Sequence, residues 1–494
     1  MQQVVIAGGG SAGWMAAAML AKVLGHSVKI TLVESDEIGI VGVGEATIPP
    51  ILFFNKALGI DEAEFIRATQ GTFKLGIQFE NWARQGDSYM HAFGEIGSPI
   101  GLSAFHHLWL RAKAAGHNSD FWDFSPTFQA AKAGKFSSTV QLAGTPFNQF
   151  SYAYHFDASL YAKLLRQKAE QNGVRRIEGK ISLVEQAVNG DIAALVMENG
   201  ERITGDLFID CTGFRALLIE QTLNAGYENW SHWLPCDRAM AVPSANISAP
   251  VPYTRAIAHQ AGWQWRIPLQ HRTGNGLVYC SAFLPDEQAK SQLLANLEGE
   301  ALAEPRPIRF TTGRRKQQWS HNCISLGLAS GFLEPLESTS LHLIQSGIIR
   351  LAKLFPAGGD MALLRNEYNR QSQLEFEQIR DFIILHYHQT ERSDSEFWNY
   401  CRTMTVPDSL SRKIELFRHS GVLQREQDDL FTELAWQQVL LGQRVLPQHY
   451  QPLADKLSQA QLSELLENLR LIVQGIVKPM PTHAETLARI VQRS

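Results

Sequence analysis

The chain has 494 residues and a near-balanced formal charge of −4, so it can bury a large core, and about 100–200 residues per domain suggests two to four domains. There is no long Lys/Arg block to suggest nucleic acid and no apolar run of about 18 residues to suggest a membrane span. Five cysteines without C-x-x-C spacing argue against a disulfide framework and a zinc site.

Residues 3–7 (QVVIA) form an apolar run ending in glycines, followed by an Ala/Met/Leu-rich segment from Trp14 to Leu24. A second strand pattern, VKITLVE, runs from Val28 to Glu34, which makes a βαβ unit. The chain start has no basic n-region, so a cytoplasmic protein is expected. Residues 38–50 (IGIVGVGEATIPP) read as a loop lining something. From 176 to 210 short strand patterns recur, with the NG of ENGER as a hairpin signal. Residues 251–330 read mostly as strands. After about residue 340 the pattern turns helical, as in SQAQLSELLENLRLIV, where Leu462, Leu465, Leu466 and Leu469 share a face. The expected class is α/β: a single Rossmann-like module with a mixed or antiparallel sheet region and a helical C-terminal portion. The expected division is 1–350 and 351–494.

Gly8-Gly9-Gly10-Ser11-Ala12-Gly13 fits G-x-G-x-x-G between strand and helix. Gly8 permits the tight turn, Gly10 lets a pyrophosphate approach, and Gly13 lets helix pack on strand. The amides of Ser11 and Ala12 then begin a helix whose positive end favours phosphate. Glu34 stands where an acid would bind a ribose. The plain alternative is a structural glycine turn. In GDLFIDCTGFRALL (205–218) a second acid, Asp210, ends a strand before a tight turn. Such a late strand returning beside the glycine loop is a feature of FAD-dependent monooxygenases and their relatives. The alternative is a surface acid at a strand end. No second glycine motif marks an NAD(P)H domain.

Several stretches then occur in the order found in one known family. They are GGGSAGWMAA (8–17), VGVGEATIP (41–49), FKLGIQFENW (73–82), Trp263-Gln264-Trp265-Arg266-Ile267-Pro268 and GFLEPLESTS (331–340). Together they resemble the flavin-dependent halogenases of the tryptophan halogenase type, over nearly the whole chain. The resemblance implies that reduced FAD, dioxygen and chloride or bromide yield hypohalous acid, with a separate reductase supplying the flavin. It implies Lys74 as the group that takes up that acid, and Glu337 as the carboxylate that stabilises and deprotonates the attacked ring. It implies backbone amides of Thr339 and Ser340 for the halide; the family commonly has glycine at the second, so Ser340 puts halide preference in question. It also implies cofactor contacts at Val43, Gly44, Ala46, Val184, Leu328 and Leu341. VGVGEATIP resembles a flexible strap, with a rigid turn as the plain alternative. Trp263 and Trp265, two apart on a strand, share a face, and plain sheet core is the alternative there.

For the substrate, His107 and Trp109 match the family's His-x-aromatic pair that sandwiches an indole. A zinc reading of His106-His107 is poor, because adjacent side chains diverge. Phe397-Trp398 matches the Phe-Trp pair that closes over substrate. Enzymes acting on free tryptophan have two tyrosines, a glutamate and an asparagine at fixed offsets from that pair. Here those offsets give His386, Tyr387, Ser393 and Arg402, so only the second tyrosine survives. Glu391 or Asp394 could substitute for the missing acid after a small alignment shift. The expectation is an indole-like aromatic in preference to free tryptophan. A flavin monooxygenase or oxidase, and a non-catalytic flavin-binding protein, are the rival readings. A homodimer is left open.

Overall fold

The computed structural model describes residues 2–37 and 44–492 and separates into two compact units. The first comprises residues up to 71, 156–238 and 307–377; the second comprises 72–155, 239–306 and the chain from 378 onward. The helical stretch after residue 350 is therefore shared, with 351–377 in the first unit and the remainder in the second.

The first unit is built on a six-stranded sheet. Its order is Trp319–Ser320, Cys323–Ser325, Leu207–Asp210, Gln2–Ala7, Val28–Glu34, Arg175–Glu178. All neighbouring pairs are parallel except the edge pair Trp319–Ser320 with Cys323–Ser325. A central parallel strand is covered on both faces, which explains why Val4, Val5, Ile6 and Ala7 form an unbroken apolar run at 0–1% exposure. The helix Ser11–Leu24 makes the crossover to Val28–Glu34 and packs along Ser340–Lys353. A three-stranded antiparallel meander, Ile181–Gln186, Ile192–Met197 and Arg202–Thr204, adds to the core below. Its last connection is the NG hairpin, with Gly200 at φ +83° and the Met197 amide donating to Glu201 O at 2.9 Å.

The second unit contains a mixed sheet in which Thr273–Tyr279, Gly262–Pro268, Thr254–His259, Gly76–Glu80 and Ser88–Ala92 lie in that order. Thr254–His259 and Gly76–Glu80 are parallel, and the other pairs are antiparallel. The stretch 251–330 is not all strand, because Asp286–Ala295 is a helix started by Pro285 and two acids in its first turn. Helices complete the unit. Gln459–Val477 begins with a Ser458/Gln461 capping box and buries Leu462, Leu466 and Leu469.

Candidate active site

In the first unit the glycine loop is held by contacts that no side chain could share. Gly8 has φ +105°, and a Cβ there would lie 2.3 Å from Cys211 O; a Cβ on Gly13 would lie 1.9 Å from Gly8 O. The strand Leu207–Asp210 does return beside the loop, with Asp210 paired to Ala7. Around Gly10 the space is open, and the helix starting at Ser11 has no side-chain cap and no acid in its first turn. This leaves a positive helix end facing room for an anion. Glu34 faces Gly9 and accepts from Arg176 Nε at 2.6 Å and Trp14 Nε1 at 3.3 Å. Asp210 is not a surface acid: it is fully buried and accepts from the amides of Thr212, Leu218 and Ile219 and from the Thr212 hydroxyl, at 2.7–2.9 Å. Burial raises its pKa while those donors oppose the rise. Its visible work is therefore to fix the turn against the glycine loop.

The segment GFLEPLESTS runs in this unit from a short strand, Gly331–Phe332, through one tight turn into a helix. Glu334 precedes a short 3₁₀ turn, Pro335–Glu337; Ser338 is left-handed at φ +59°, and Thr339 precedes the helix Ser340–Lys353. The unusual φ belongs to Ser338, whereas Ser340 is an ordinary first helical residue, so a serine fits there without backbone strain. No side-chain bond caps this helix at Thr339. The first-turn amides keep that end for another acceptor. Glu337, Ser338 and Thr339 are 0%, 4% and 0% exposed. Leu328 sits in the turn Gly327–Ala329, where a Cβ on Gly327 would lie 2.9 Å from the Ala12 Cβ. Leu341 is buried in the first turn after Ser340.

In the second unit Lys74 ends the three-residue strand Thr72–Lys74, paired antiparallel with residues 153–155. It is fully buried, and its Nζ lies 5.3 Å from the centroid of the Phe93 ring, within cation–π range. His91, on the strand Ser88–Ala92, sets its ring 6.4 Å from that of Phe93 at 73°. A second aromatic group gathers Trp82, Trp263, Tyr387, Phe397 and Trp398. Trp82 meets Tyr387 at 5.2 Å, Trp398 at 5.7 Å and Trp263 at 6.4 Å. The Trp398 ring stacks on Tyr387 at 6.0 Å and carries the Arg392 guanidinium at 4.6 Å. Trp263 and Trp265 do share one face of their strand, their rings 6.1 Å apart.

The tryptophan halogenase family model matches residues 3–459. Xcc4156, a flavin-dependent halogenase from Xanthomonas campestris, is 52% identical with a TM-score of 0.95, over 99% of this chain and 98% of that one. BrvH, a flavin-dependent halogenase from Brevundimonas sp. BAL3, is 43% identical with a TM-score of 0.94, over 99% of both chains. The tryptophan 6-halogenase SttH of Streptomyces toxytricini is 36% identical over 437 residues, 84% of each chain. The chain belongs to the tryptophan halogenase family. It is an enzyme, a flavin-dependent halogenase, and that family uses FAD and a halide.

The halogenase's glycine loop fits such a cofactor: closed where Gly8 and Gly13 meet backbone, open at Gly10, with an uncapped helix end beyond. Of the other residues implied for the cofactor, Val43 lies outside the described residues. Gly44 and Ala46 are buried in a short strand, Gly44–Ala46, where a loop was expected. Between them burial lifts the pKa of Glu45 to about 7. Val184 packs against the core cluster that includes Val5, Ala7 and Val33.

His107 and Trp109 correct the substrate reading of FHHLWL. That segment is a helix, Phe105–Ala114, where residues two apart are rotated by about 200°. His107 turns to the Gln451 amide at 3.4 Å, and Trp109 donates to Ser119 O at 3.3 Å and meets Phe121 edge-on. They form no sandwich. The His-x-aromatic pattern occurs a second time, as His91-Ala92-Phe93, and there a strand turns both rings the same way. That signal, the same spacing inside an alternating segment SYMHAF, was available in the sequence. A zinc role for His106 is also closed: its Nε2 donates to Gly421 O at 2.7 Å, and its Nδ1 accepts from Gln437 at 3.1 Å. Among the described residues no group of three or more His, Cys, Asp or Glu could hold a metal.

Proposed function

We propose that this chain is the halogenating half of a two-component system, receiving reduced FAD from a separate reductase and placing chlorine or bromine on an electron-rich, indole-like aromatic. The observation that carries this reading is Lys74, an ammonium fully buried against the Phe93 ring. A lysine there is a compact, mobile donor whose charge state responds to burial, which suits it to polarising a leaving oxygen. Because reduced flavin reacts quickly with dioxygen, we place the protein with its reductase in the cytoplasm.

Bound reduced FAD supplies, with dioxygen, the oxidising power that converts halide to hypohalous acid. We assign its binding to Gly8, Gly10, Ser11, Ala12, Gly13 and Glu34, with Asp210 holding the adjoining turn. The halide is assigned to the first-turn amides of Thr339 and Ser340, where the positive end of Ser340–Lys353 favours an anion. Lys74 donates to the oxygen of hypohalous acid, so the halogen–oxygen bond breaks as the carbon–halogen bond forms and the oxygen leaves as water. Glu337 stabilises the cationic ring and takes the proton from the carbon attacked. From hypohalous acid onward, the net change is one ring hydrogen replaced by halogen, with one water released.

We assign the ring-holding role to His91 and Phe93 in place of His107 and Trp109, with Tyr387, Phe397 and Trp398 as the further aromatic wall. Two observations support a substrate other than free tryptophan. Asp394 accepts two bonds from Arg392, at 2.8 and 2.7 Å, and one from Gln85 at 2.9 Å. Glu391 is bound by Arg84 and lies 3.6 Å from Arg444. Both acids that could receive an amino-acid ammonium are engaged elsewhere. The test is an indole and tryptophan panel with reduced FAD, dioxygen and halide, read by mass spectrometry. Halogenated indole supports the reading, and a kcat/KM for tryptophan well above that for indole refutes the substrate assignment.

A further inference from the structure

The strand Thr72–Lys74 lies at the edge of its sheet, so amides on its outer side need partners other than a strand. Two of them find partners in the segment 250–252. The Leu75 amide donates directly to Pro252 O at 2.8 Å. The Phe73 amide, two residues earlier, does not reach Pro250 O directly. Between them stands the His483 imidazole, whose Nε2 accepts from the Phe73 amide at 3.1 Å while its Nδ1 donates to Pro250 O at 2.7 Å. The ring thus fills one rung of a strand pairing, and these two bonds fix its state. An amide can only donate, so Nε2 carries no proton, and Nδ1 must carry one. His483 is 1% exposed, and burial lowers its pKa to about 4, which agrees with a neutral ring.

Other contacts hold His483 itself. Its amide donates to Gly134 O at 2.8 Å, the Phe136 amide donates to Pro481 O at 3.1 Å, and Thr486 donates to Phe136 O at 2.9 Å. The Phe136 ring in turn stacks on Phe73 at 3.9 Å. On the other side of the strand, Thr72 gives its single hydroxyl proton to Pro268 O at 2.7 Å. His155 must therefore donate from Nδ1 to Thr72 at 3.0 Å and accept at Nε2 from Thr254 at 2.9 Å. The two residues preceding Lys74 are each tied to a buried neutral imidazole.

We propose that His483, contributed by the far C-terminal segment, is a positioning residue for Lys74: as an Nδ1-protonated bridge from the Phe73 amide to Pro250 O, it sets the place from which the lysine reaches hypohalous acid. The proposal rests on the reading of Lys74 as the halogenating residue. A displaced edge strand moves the ammonium while leaving the cofactor loop untouched, so oxidant still forms and fails to reach the ring. A shift of about 1 Å at a reacting group costs on the order of 10²-fold.

The test compares His483→Met and His483→Gln, which match in length, but only the amide of Gln can both accept well from Phe73 and donate to Pro250 O, since a thioether is a weak acceptor and no donor. Halogenated product per reduced FAD oxidised is measured in folded protein, beside Lys74→Ala. Expected is a ratio about tenfold or more below wild type for Met, substantial recovery for Gln, and unchanged FAD affinity in both. A purely structural role would lower product and flavin oxidation together, and that result overturns the proposal, as does a Met ratio equal to wild type. Lys74→Ala separates the two claims: if it keeps halogenation, the reading of Lys74 fails, whereas its loss beside a wild-type ratio in the Met variant sinks only the role of His483. If the Met variant does not fold, the wild-type ring nitrogen shifts decide, since a protonated Nε2 at pH 7 contradicts the bridge.

Discussion

Lys74 and Phe93 are set face to charge, with the ammonium 5.3 Å from the ring centroid and the lysine fully buried. An ammonium in such a place is a donor held in low dielectric, where one hydrogen bond to a departing oxygen counts for more than it does in water. Replacing Lys74 by Ala is expected to lower halogenation by at least about 10²–10³-fold, the cost of losing one such donor. Flavin oxidation should continue. Product counted against flavin consumed checks both halves of the statement.

Glu337 is fully buried in the turn Pro335–Glu337, just ahead of the helix Ser340–Lys353. On the role proposed for Glu337, Glu337→Gln keeps the shape and removes both the charge proposed to stabilise the ring cation and the base proposed to take its proton. A fall in kcat of about 10²–10⁴-fold is expected, with little change in KM. A large rise in KM at constant kcat would instead make it a binding residue.

The pair proposed to hold the ring, His91 and Phe93, can be told apart from its helical look-alike, His107 and Trp109. Phe93→Ala should raise KM for indole by roughly tenfold, the effect of about 1.4 kcal/mol of lost aromatic contact. Trp109→Ala should leave KM unchanged and act only on stability, because its indole packs on Phe121 and Ser119. Steady-state kinetics on folded variants distinguish them.

Stability should fall on acidification. Burial lowers the pKa of His106, His107 and His483 to about 4, with the neighbouring His106 adding to the shift of His107. The unfolded chain therefore binds more protons below about pH 6.5, and the stability these rings contribute is lost as pH falls from there toward 4. Glu45 works against this: its pKa is raised to about 7 by burial, so its neutral form favours the fold more as pH falls from about 7 to 4.5. The pKa values of His155, His259 and His388 are lowered as well, and those of Asp120, Asp210 and Asp429 raised, so six imidazoles stand against four carboxyls. The urea midpoint should be lower at pH 5 than at pH 7, and the difference should shrink in His106→Gln.

What could be read from the sequence follows the range of the interactions involved. The βαβ start, the glycine loop and the return of Asp210 beside Ala7 depend on short motifs and strand order, and they are found where expected. The segment GFLEPLESTS was recognisable, but its left-handed residue is Ser338, and a turn's φ is not written in residue type when a serine adopts it. His107 and Trp109 misled because residues two apart share a face only on a strand, and FHHLWL is a helix. His483 was beyond reach, since its bond to Phe73 spans 410 positions and no local pattern announces it.

The most direct test of the account is the mass of the product formed from indole, reduced FAD, dioxygen and bromide by the wild-type enzyme and by folded, flavin-binding Lys74→Ala. The account predicts bromoindole, with its paired isotope pattern, from the wild type and none from the variant. Indole gaining oxygen in the wild type, or bromoindole formed equally well by Lys74→Ala, would contradict it.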